Sequence, residues 1–240
     1  MSASPAFPAR PLRRLHALLF AGLLAAALPM IATDSSAQAA STALPPAQAQ
    51  QVLTKVQNFY DKTTSFSSDF TQEFFVKSHN VKKQSKGHVL FAKPGKMFWE
   101  YTLPEDNRVV SDGAVLKVYE AANKQMFEQN VDKSQYPAAL SFLVGGGKLS
   151  DTFTFELYEG AAMNFAGGQV LVGTPKTPSP AYQKVLFYID GPTSQVRRVL
   201  IVDGQGNRNR FDFDNPKVNE TIPEGRFKFV PPPGTAVIRP

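Results

Sequence analysis

Side chains that could carry out covalent chemistry are few in this 240-residue chain. Cysteine does not occur, so a thiol nucleophile, a thiolate metal site, a disulfide and a cysteine-linked lipid anchor are not expected. The three histidines are His16, His79 and His88, and the sequence contains no zinc-protease, serine-hydrolase or dinucleotide-binding motif. We therefore predict that the protein is not an enzyme and holds no metal and no cofactor.

Two short patterns come closest to an ion-binding motif. Gly145-Gly146-Gly147-Lys148 resembles the end of a phosphate-binding loop, but Phe142 and Leu149 stand where that motif needs glycine and serine or threonine. A helix end followed by a hinge is the favoured interpretation. Asp212 and Asp214 share one strand face and could hold a cation, but without a third ligand nearby a solvated face is favoured.

The chain is instead rich in large apolar side chains on consecutive predicted strands. Nineteen Phe accompany seven Tyr and a single Trp. Phe70 and Phe74 belong to the first such strand, Phe91 to the second, and Met97 and Trp99 to the third. Apolar residues occupy both faces in places, and a sheet cannot cover both of its own faces. Two interpretations stay open: an ordinary core, or a concave face left partly unfilled for an apolar ligand.

One helix and a long series of short strands must position these side chains. Directly after Pro45-Pro46, a helical period is formed by Val52, Val56 and Phe59 together with Leu53 and Tyr60. From Phe66 the period changes to two. We predict strands near 66–76, 85–93, 96–102, 107–111, 114–120, 124–130, 151–158, 168–174, 181–190, 195–203, 207–214 and 217–221. A short helix is expected at 136–144. Tight turns between the strands indicate a mainly β protein of the α+β class, built as one strongly curved antiparallel sheet.

The first 39 residues have the composition of an export signal. Three arginines precede an apolar run of 14 residues, Leu15 to Leu28, and Ala37-Gln38-Ala39 is a cleavage site of the small-x-small type. That run is well short of the roughly 20 residues that span a bilayer. We predict a signal peptide at 1–39, a linker at 40–47 and a single domain at 48–240. The mature product is expected to be a soluble monomer.

The charge of the mature chain argues against a nucleic-acid partner. Loss of the leader lowers the net charge from +6 to +4, because three arginines and one aspartate leave. No basic run is longer than Lys82-Lys83 or Arg197-Arg198, and no aromatic residues are interleaved as a stacking platform. An anionic membrane surface or lipid headgroup remains compatible with this charge.

A series of short motifs along residues 50–235 is more specific. In chain order they are Phe70-Thr71-Gln72, Gly87, Phe91-Ala92-Lys93-Pro94, Phe98-Trp99-Glu100-Tyr101, Pro104, Val109-Val110-Ser111-Asp112-Gly113, Tyr119, Lys124-Gln125 and Phe227-Lys228-Phe229-Val230-Pro231-Pro232. Their order and spacing in an exported chain resemble the LolA family, the periplasmic carriers of outer-membrane lipoproteins. The resemblance implies an incomplete, strongly curved antiparallel β-barrel with a helical lid over a hydrophobic cavity.

The resemblance also implies roles for individual residues. The lipid-binding cavity would be lined by Phe70, Phe74, Phe91, Met97, Trp99 and Tyr101. The inner face of the lid would be formed by Val52, Val56, Phe59, Leu140 and Phe142. Lys93 would be the lid latch, and it stands where the family usually has an arginine, so a point donor replaces a fork of five N–H groups. Met97 stands where phenylalanine is frequent and keeps the position apolar.

The function implied is that of a periplasmic chaperone that carries acylated lipoproteins. Such a carrier binds the acyl chains of lipoproteins released from the inner membrane by an ABC transporter and delivers them to a LolB-like receptor in the outer membrane. LolB itself is a lipoprotein, and the absence of cysteine argues against that relative. The alternative is a lipid-sensing or other amphiphile-binding module of the same fold that does not shuttle lipoproteins.

Overall fold

The computed structural model describes residues 42–131, 140, 142, 143, 145 and 147–239. The predicted signal peptide and the first residues of the predicted linker lie outside the described residues, as do most residues of the helix predicted at 136–144. The helices are α1 (Pro46–Asp61) and α2 (Leu149–Thr152). Within the described ranges, neither helix combines the length and the apolar character needed to cross a membrane.

Together with short 3₁₀ helices at Lys77–His79, Ala161–Met163 and Glu224–Phe227, the described residues also contain twelve strands. They are β1 (Ser65–Val76), β2 (Val81–Ala92), β3 (Lys96–Leu103), β4 (Glu105–Asp112), β5 (Val115–Glu120), β6 (Gln125–Asn130), β7 (Phe153–Glu159), β8 (Gly168–Pro175), β9 (Lys184–Asp190), β10 (Val196–Val202), β11 (Arg208–Val218) and β12 (Ala236–Ile238).

The strands form a single sheet. Its order is β12-β6-β5-β4-β3-β2-β1-β11-β10-β9-β8-β7. Neighbours pair antiparallel except β12, which runs parallel to β6. The pairing of β1 with β11 joins two sets of hairpin-connected strands. Within the described residues, β7 and β12 each pair on one side only, so the barrel is incomplete.

Contacts across the sheet show how strongly it curves. Trp99 on β3 and Phe211 on β11 are three strand positions apart, which is about 14 Å in a flat sheet. Their ring centroids are nevertheless only 5.3 Å apart. The sheet must therefore curl so that side chains of non-adjacent strands meet on its concave face. The predicted fold class, a mainly β protein with an unclosed and curved antiparallel sheet, is confirmed.

Helix α1 covers this concave face. It starts at Pro46, inside the predicted linker, where a proline is tolerated because the first N–H groups of a helix have no intrahelical partner. Its buried residues are Ala49, Leu53, Val56 and Tyr60, spaced four, three and four apart. The predicted amphipathic helix is confirmed by this stripe, which contains Leu53, Val56 and Tyr60 of the predicted pattern and leaves Val52 and Phe59 at its edge.

The convex face of β3 and β4 is covered by a different segment of the chain. Phe98 and Val110 are buried there against Phe227, which belongs to the segment that follows β11. An ion pair of 2.6 Å between Lys96 Nζ and Glu224 Oε1 fastens the same segment. Apolar residues on both faces of β3 are thus buried by different parts of the chain, and the Phe227-Lys228-Phe229 motif is a structural cover.

Strand β11 runs further than predicted. The sequence predicted a strand ending at 214 and another beginning at 217. In the structure a register shift opposite Ser67 and Asp69 absorbs the extra residues, and Asn215 adopts a left-handed conformation with a φ of 51°. Pro216 lies within this irregularity, so the strand continues to Val218.

Candidate functional site

The concave face carries five of the six predicted cavity residues in one buried cluster. Along β3, Met97, Trp99 and Tyr101 alternate with residues of the opposite face and point inward. Phe70 on β1 and Phe91 on β2 join them, and all five are less than 5% exposed. In the structure this cluster is a packed, largely apolar interior.

The rings of this cluster meet edge to face. The centroid of Phe70 lies 4.9 Å from that of Trp99 and 5.2 Å from that of Tyr101, and Phe91 lies 5.7 Å from Trp99. In an edge-to-face pair, the edge of one ring packs against the face of the other. The resulting surface is flat-sided and apolar, with Met97 as its adaptable member.

A glycine makes room for this arrangement. Gly87 on β2 pairs with Phe70, and the register of β2 against β3 shifts at Lys86 and Gly87. A Cβ atom at position 87 would lie 1.9 Å from the carbonyl oxygen of Glu100 and 2.9 Å from the ring of Phe70. Only glycine fits where these three strands approach so closely.

Phe74 is placed apart from the other predicted cavity residues. It lies four residues beyond Phe70 on β1, opposite Lys83, towards the turn between β1 and β2. It is half-buried and does not belong to the interior cluster. The face on which Phe74 lies was predicted correctly, but the interior ends before its position.

The predicted lid residues pack on the cluster from the side opposite the sheet. Val56, Leu140 and Phe142 are buried within it, whereas Val52 and Phe59 are half-buried at its edge. The Phe142 ring lies 4.8 Å from that of Tyr60 and 5.6 Å from that of Phe187. We use the word lid for α1 together with the described residues 140, 142 and 143.

Lys93 fastens the end of this lid. Its ammonium donates a hydrogen bond of 2.5 Å to the main-chain carbonyl of Tyr60 and one of 3.5 Å to that of Asp61. Both carbonyls belong to the last turn of α1, where helix oxygens lack intrahelical partners and a cation is favoured. The aliphatic part of Lys93 also lies beside Gly145, where a Cβ atom would be 3.2 Å from Lys93 Cδ. Lys93 therefore binds the end of α1 and lies beside Gly145, which follows the lid residues 142 and 143 in the chain.

Three further polar contacts hold α1. The Tyr60 hydroxyl accepts a hydrogen bond of 3.0 Å from the Val196 N–H, and burial raises the pKa of this phenol well above its ordinary value. Gln57 Oε1 accepts one of 2.9 Å from the Leu149 N–H. Just before the helix, the Leu44 N–H donates to the Leu157 carbonyl at 2.7 Å. The lid is thus attached at both ends by a small number of separable hydrogen bonds.

Sequence reasoning missed the contribution of the second half of the sheet. Phe187, Phe211 and Phe213 face the same interior, and Tyr60 links the lid to it. The alternation of Phe211 with Phe213 along β11 was a usable signal. The sequence could not show that Phe211 and Phe213 lie on the same face of the sheet as Trp99, because the pairing of β1 with β11 joins residues far apart in sequence.

The titratable residues considered at first do not meet in a site. Asp212 accepts a hydrogen bond from the Arg198 guanidinium and forms an ion pair with Arg210, so two cationic side chains already balance its charge. His88 Nδ1 lies 2.5 Å from Asp69 Oδ1, and both side chains are largely exposed. Within the part of the chain that the structure describes, no three His, Asp or Glu residues are grouped as metal ligands.

Comparison with known proteins identifies the family. The model of the family described as outer membrane lipoprotein carrier protein LolA matches residues 61–230, which is well over half of the chain. This chain belongs to the LolA family. The match begins at the end of α1 and includes every strand from β1 to β11.

Two curated relatives carry the name outer-membrane lipoprotein carrier protein. The protein of Bordetella avium is 27% identical over 181 residues, covering 75% of this chain and 84% of that protein. The protein of Chromobacterium violaceum is 27% identical over 216 residues, covering 88% and 98%. Among solved structures, a LolA superfamily protein of Nitrosomonas europaea aligns with a TM-score of 0.44 at 14% identity, covering 75% of this chain and 97% of that one.

Proposed function

We propose that this LolA-family protein is a periplasmic carrier that binds the acyl chains of lipoproteins beneath its lid. The observation that carries the proposal is the pairing of a largely apolar concave interior with a helix that hydrogen bonds from Lys93 and Val196 hold over it. The family match and the names of the relatives support the same function.

The energetics of acyl chains explain why such a cover is useful. Three chains of about 15 carbons would cost roughly 35 kcal/mol in water, at about 0.8 kcal/mol for each methylene. A rigid pocket that recovered all of this would exceed the practical limit of about 20 kcal/mol for affinity and would not release its cargo. A lid that exchanges its own apolar contacts for those of the ligand keeps loading and release nearly balanced.

The described contacts suggest how the exchange proceeds. Val56 and Phe142 leave the interior as acyl chains enter, so the area of buried apolar surface changes little. Tyr60 and Lys93 lose their hydrogen bonds to Val196 and to the end of α1, and water replaces the lost partners. Opening is therefore a change of partners at both the apolar and the polar contacts.

The wider transport route follows from the same proposal. The predicted export signal supports a periplasmic location for the mature protein. An ABC transporter of the inner membrane supplies the lipoprotein, and a LolB-like receptor of the outer membrane accepts it. Nothing in this route requires catalysis by the carrier, so the protein acts as a binding protein and not as an enzyme.

A transfer assay tests the proposal. The mature protein, residues 40–240, is added to spheroplasts that hold a labelled acylated lipoprotein, and soluble label is separated from membrane-bound label. We expect the label to move into a soluble complex. Met97→Glu should prevent loading while circular dichroism stays sheet-like, because opening the lid hydrates the new carboxylate at a lower cost than unfolding the sheet.

The control variant is Thr102→Glu, which adds the same charge at an exposed position of the same strand. It should load normally. If Met97→Glu only unfolds the protein, the neutral Met97→Gln variant repeats the comparison. Label that stays in the membrane with the wild-type protein contradicts the carrier function, and a different co-purified lipid would favour the sensing alternative.

A further inference from the structure

The indole N–H of Trp99 has no hydrogen-bond acceptor among the residues that the structure describes. Its side chain is 0% exposed and lies at the middle of the concave face. Tryptophan N–H groups in protein interiors usually find a partner, and a buried donor without one costs about 1–3 kcal/mol. The closed form thus keeps one polar group unsatisfied inside an apolar interior.

The surroundings of Trp99 explain why the chain does not satisfy this donor itself. Its neighbours are the rings of Phe70, Phe91 and Phe211, at 4.9, 5.7 and 5.3 Å between centroids. Phenyl rings are weak acceptors at best. Trp99 therefore faces hydrocarbon on the sides where its ring contacts are described.

The polar side chains that follow Trp99 along the same face form hydrogen bonds with one another. Gln72 Oε1 accepts a hydrogen bond of 3.2 Å from the Tyr101 hydroxyl. Gln72 Nε2 donates one of 2.8 Å to Asn209 Oδ1. This short polar row marks the end of the apolar interior, and Trp99 lies on its apolar side.

We propose that Trp99 donates a hydrogen bond to a carbonyl oxygen of the ester or amide that links an acyl chain to its cargo. The inference rests on the proposed carrier function and adds a specificity element to it. An acyl chain differs from an alkyl chain only by this carbonyl group. A donor that is unsatisfied in the closed form gains its partner when an acylated ligand replaces the lid, so acylated ligands are favoured over alkylated ones.

The direct test compares two probes that differ only in this group. They are a cysteinyl-glycerol lipopeptide with two palmitoyl ester chains and its analogue with two hexadecyl ether chains. We expect the wild-type protein to bind the ester roughly tenfold more tightly. In Trp99→Phe the affinity for the ester should fall to that for the ether, because an aromatic ring remains while the donor is lost. Phe211→Leu, which removes a neighbouring ring without a donor, should preserve the preference.

A second readout does not depend on any variant. Trp99 is the only tryptophan of the chain, so a ¹⁵N-tryptophan-labelled sample gives a single indole signal. The ester probe should shift this signal downfield relative to the ether probe. Equal affinities and equal signals with both probes overturn the inference and leave the carrier function standing. Failure of the folded protein to bind either probe overturns the carrier function itself.

Discussion

Lys93 joins the loop after β2 to the last turn of α1 through a flexible side chain and one compact charge. Its ammonium donates to two main-chain carbonyls, of Tyr60 and Asp61, and needs no particular side chain on the helix. Arginine at this position could engage both carbonyls with a planar fork, whereas lysine serves as a point donor. We infer that the residue at 93 sets how firmly the lid closes without altering the interior beneath it.

Substitution of Lys93 should weaken or strengthen lid closure, depending on the new side chain. Lys93→Met keeps the aliphatic part and loses the charged hydrogen bonds, worth about 1.5–3 kcal/mol. We expect more binding of an environment-sensitive apolar dye and faster release of a bound lipopeptide. Lys93→Arg should bind less dye and release more slowly. Identical dye binding in all three proteins would show that Lys93 does not hold the lid.

Gly87 is the second residue whose identity the structure constrains tightly. A methyl group at this position meets the Glu100 carbonyl at 1.9 Å, so β2 and β3 must separate or Phe70 must move. We expect Gly87→Ala to lower the free energy of unfolding by about 1–3 kcal/mol, measured by urea denaturation. Gly204→Ala is the control, because nothing lies within 4 Å of its added methyl group. Equal stability of the two variants would contradict the close approach of these strands.

Among the elements, α1 shows what local sequence patterns could and could not predict. Its existence and start followed from the helical period after Pro45. Its buried stripe runs through Leu53 and Tyr60, while Val52 and Phe59 flank it, because the shape of the concave face decides which side is covered. The same holds for Phe74, whose strand face was predictable while the end of the interior was not.

Tyr60 makes the attachment of α1 sensitive to alkali. Burial raises the pKa of Tyr60, so the folded state disfavours ionisation and the unfolded state does not. The stability that follows is fully present below the ordinary tyrosine pKa of about 10 and is lost as the pH rises above it. We expect the free energy of unfolding to fall from pH 10 upwards, and to fall less steeply in Tyr60→Phe.

The same variant should be less stable at neutral pH. It leaves the Val196 N–H without its acceptor, at a cost of about 1–3 kcal/mol. Urea denaturation at pH 7 and at pH 11 separates the two effects. A decline with pH that is unchanged in Tyr60→Phe would show that other tyrosines account for it.

At the scale of the whole molecule, one long-range pairing decides the shape of the interior. The strands and their turns followed from alternation and turn residues, and the family motifs implied the curved sheet. The approach of Trp99 to Phe211 could not be predicted, because it depends on the pairing of β1 with β11 and on the curl of the strands between β3 and β11. Strand β12 was also missed, since three residues after a proline-rich segment carry no periodic signal.

The described residues from 42 to 239 thus form a curved sheet with different covers on its two faces. The convex cover, which includes Phe227, is fastened by the ion pair of Lys96 with Glu224 and lies behind Phe98. The concave cover is the lid, fastened by the contacts of Lys93 and Tyr60. We infer that the concave cover gives way to acyl chains, so that ligand hydrocarbon comes to lie against Trp99.

The fluorescence of Trp99, the single tryptophan, tests this claim most directly. Bromine atoms on an acyl chain quench tryptophan emission only at close range, so a lipopeptide with brominated acyl chains is titrated into the mature protein. The account predicts strong quenching by the brominated lipopeptide, none by its unbrominated counterpart, and equal binding of both. Binding of the brominated lipopeptide without quenching would contradict the account, because the acyl chains would then lie outside the interior.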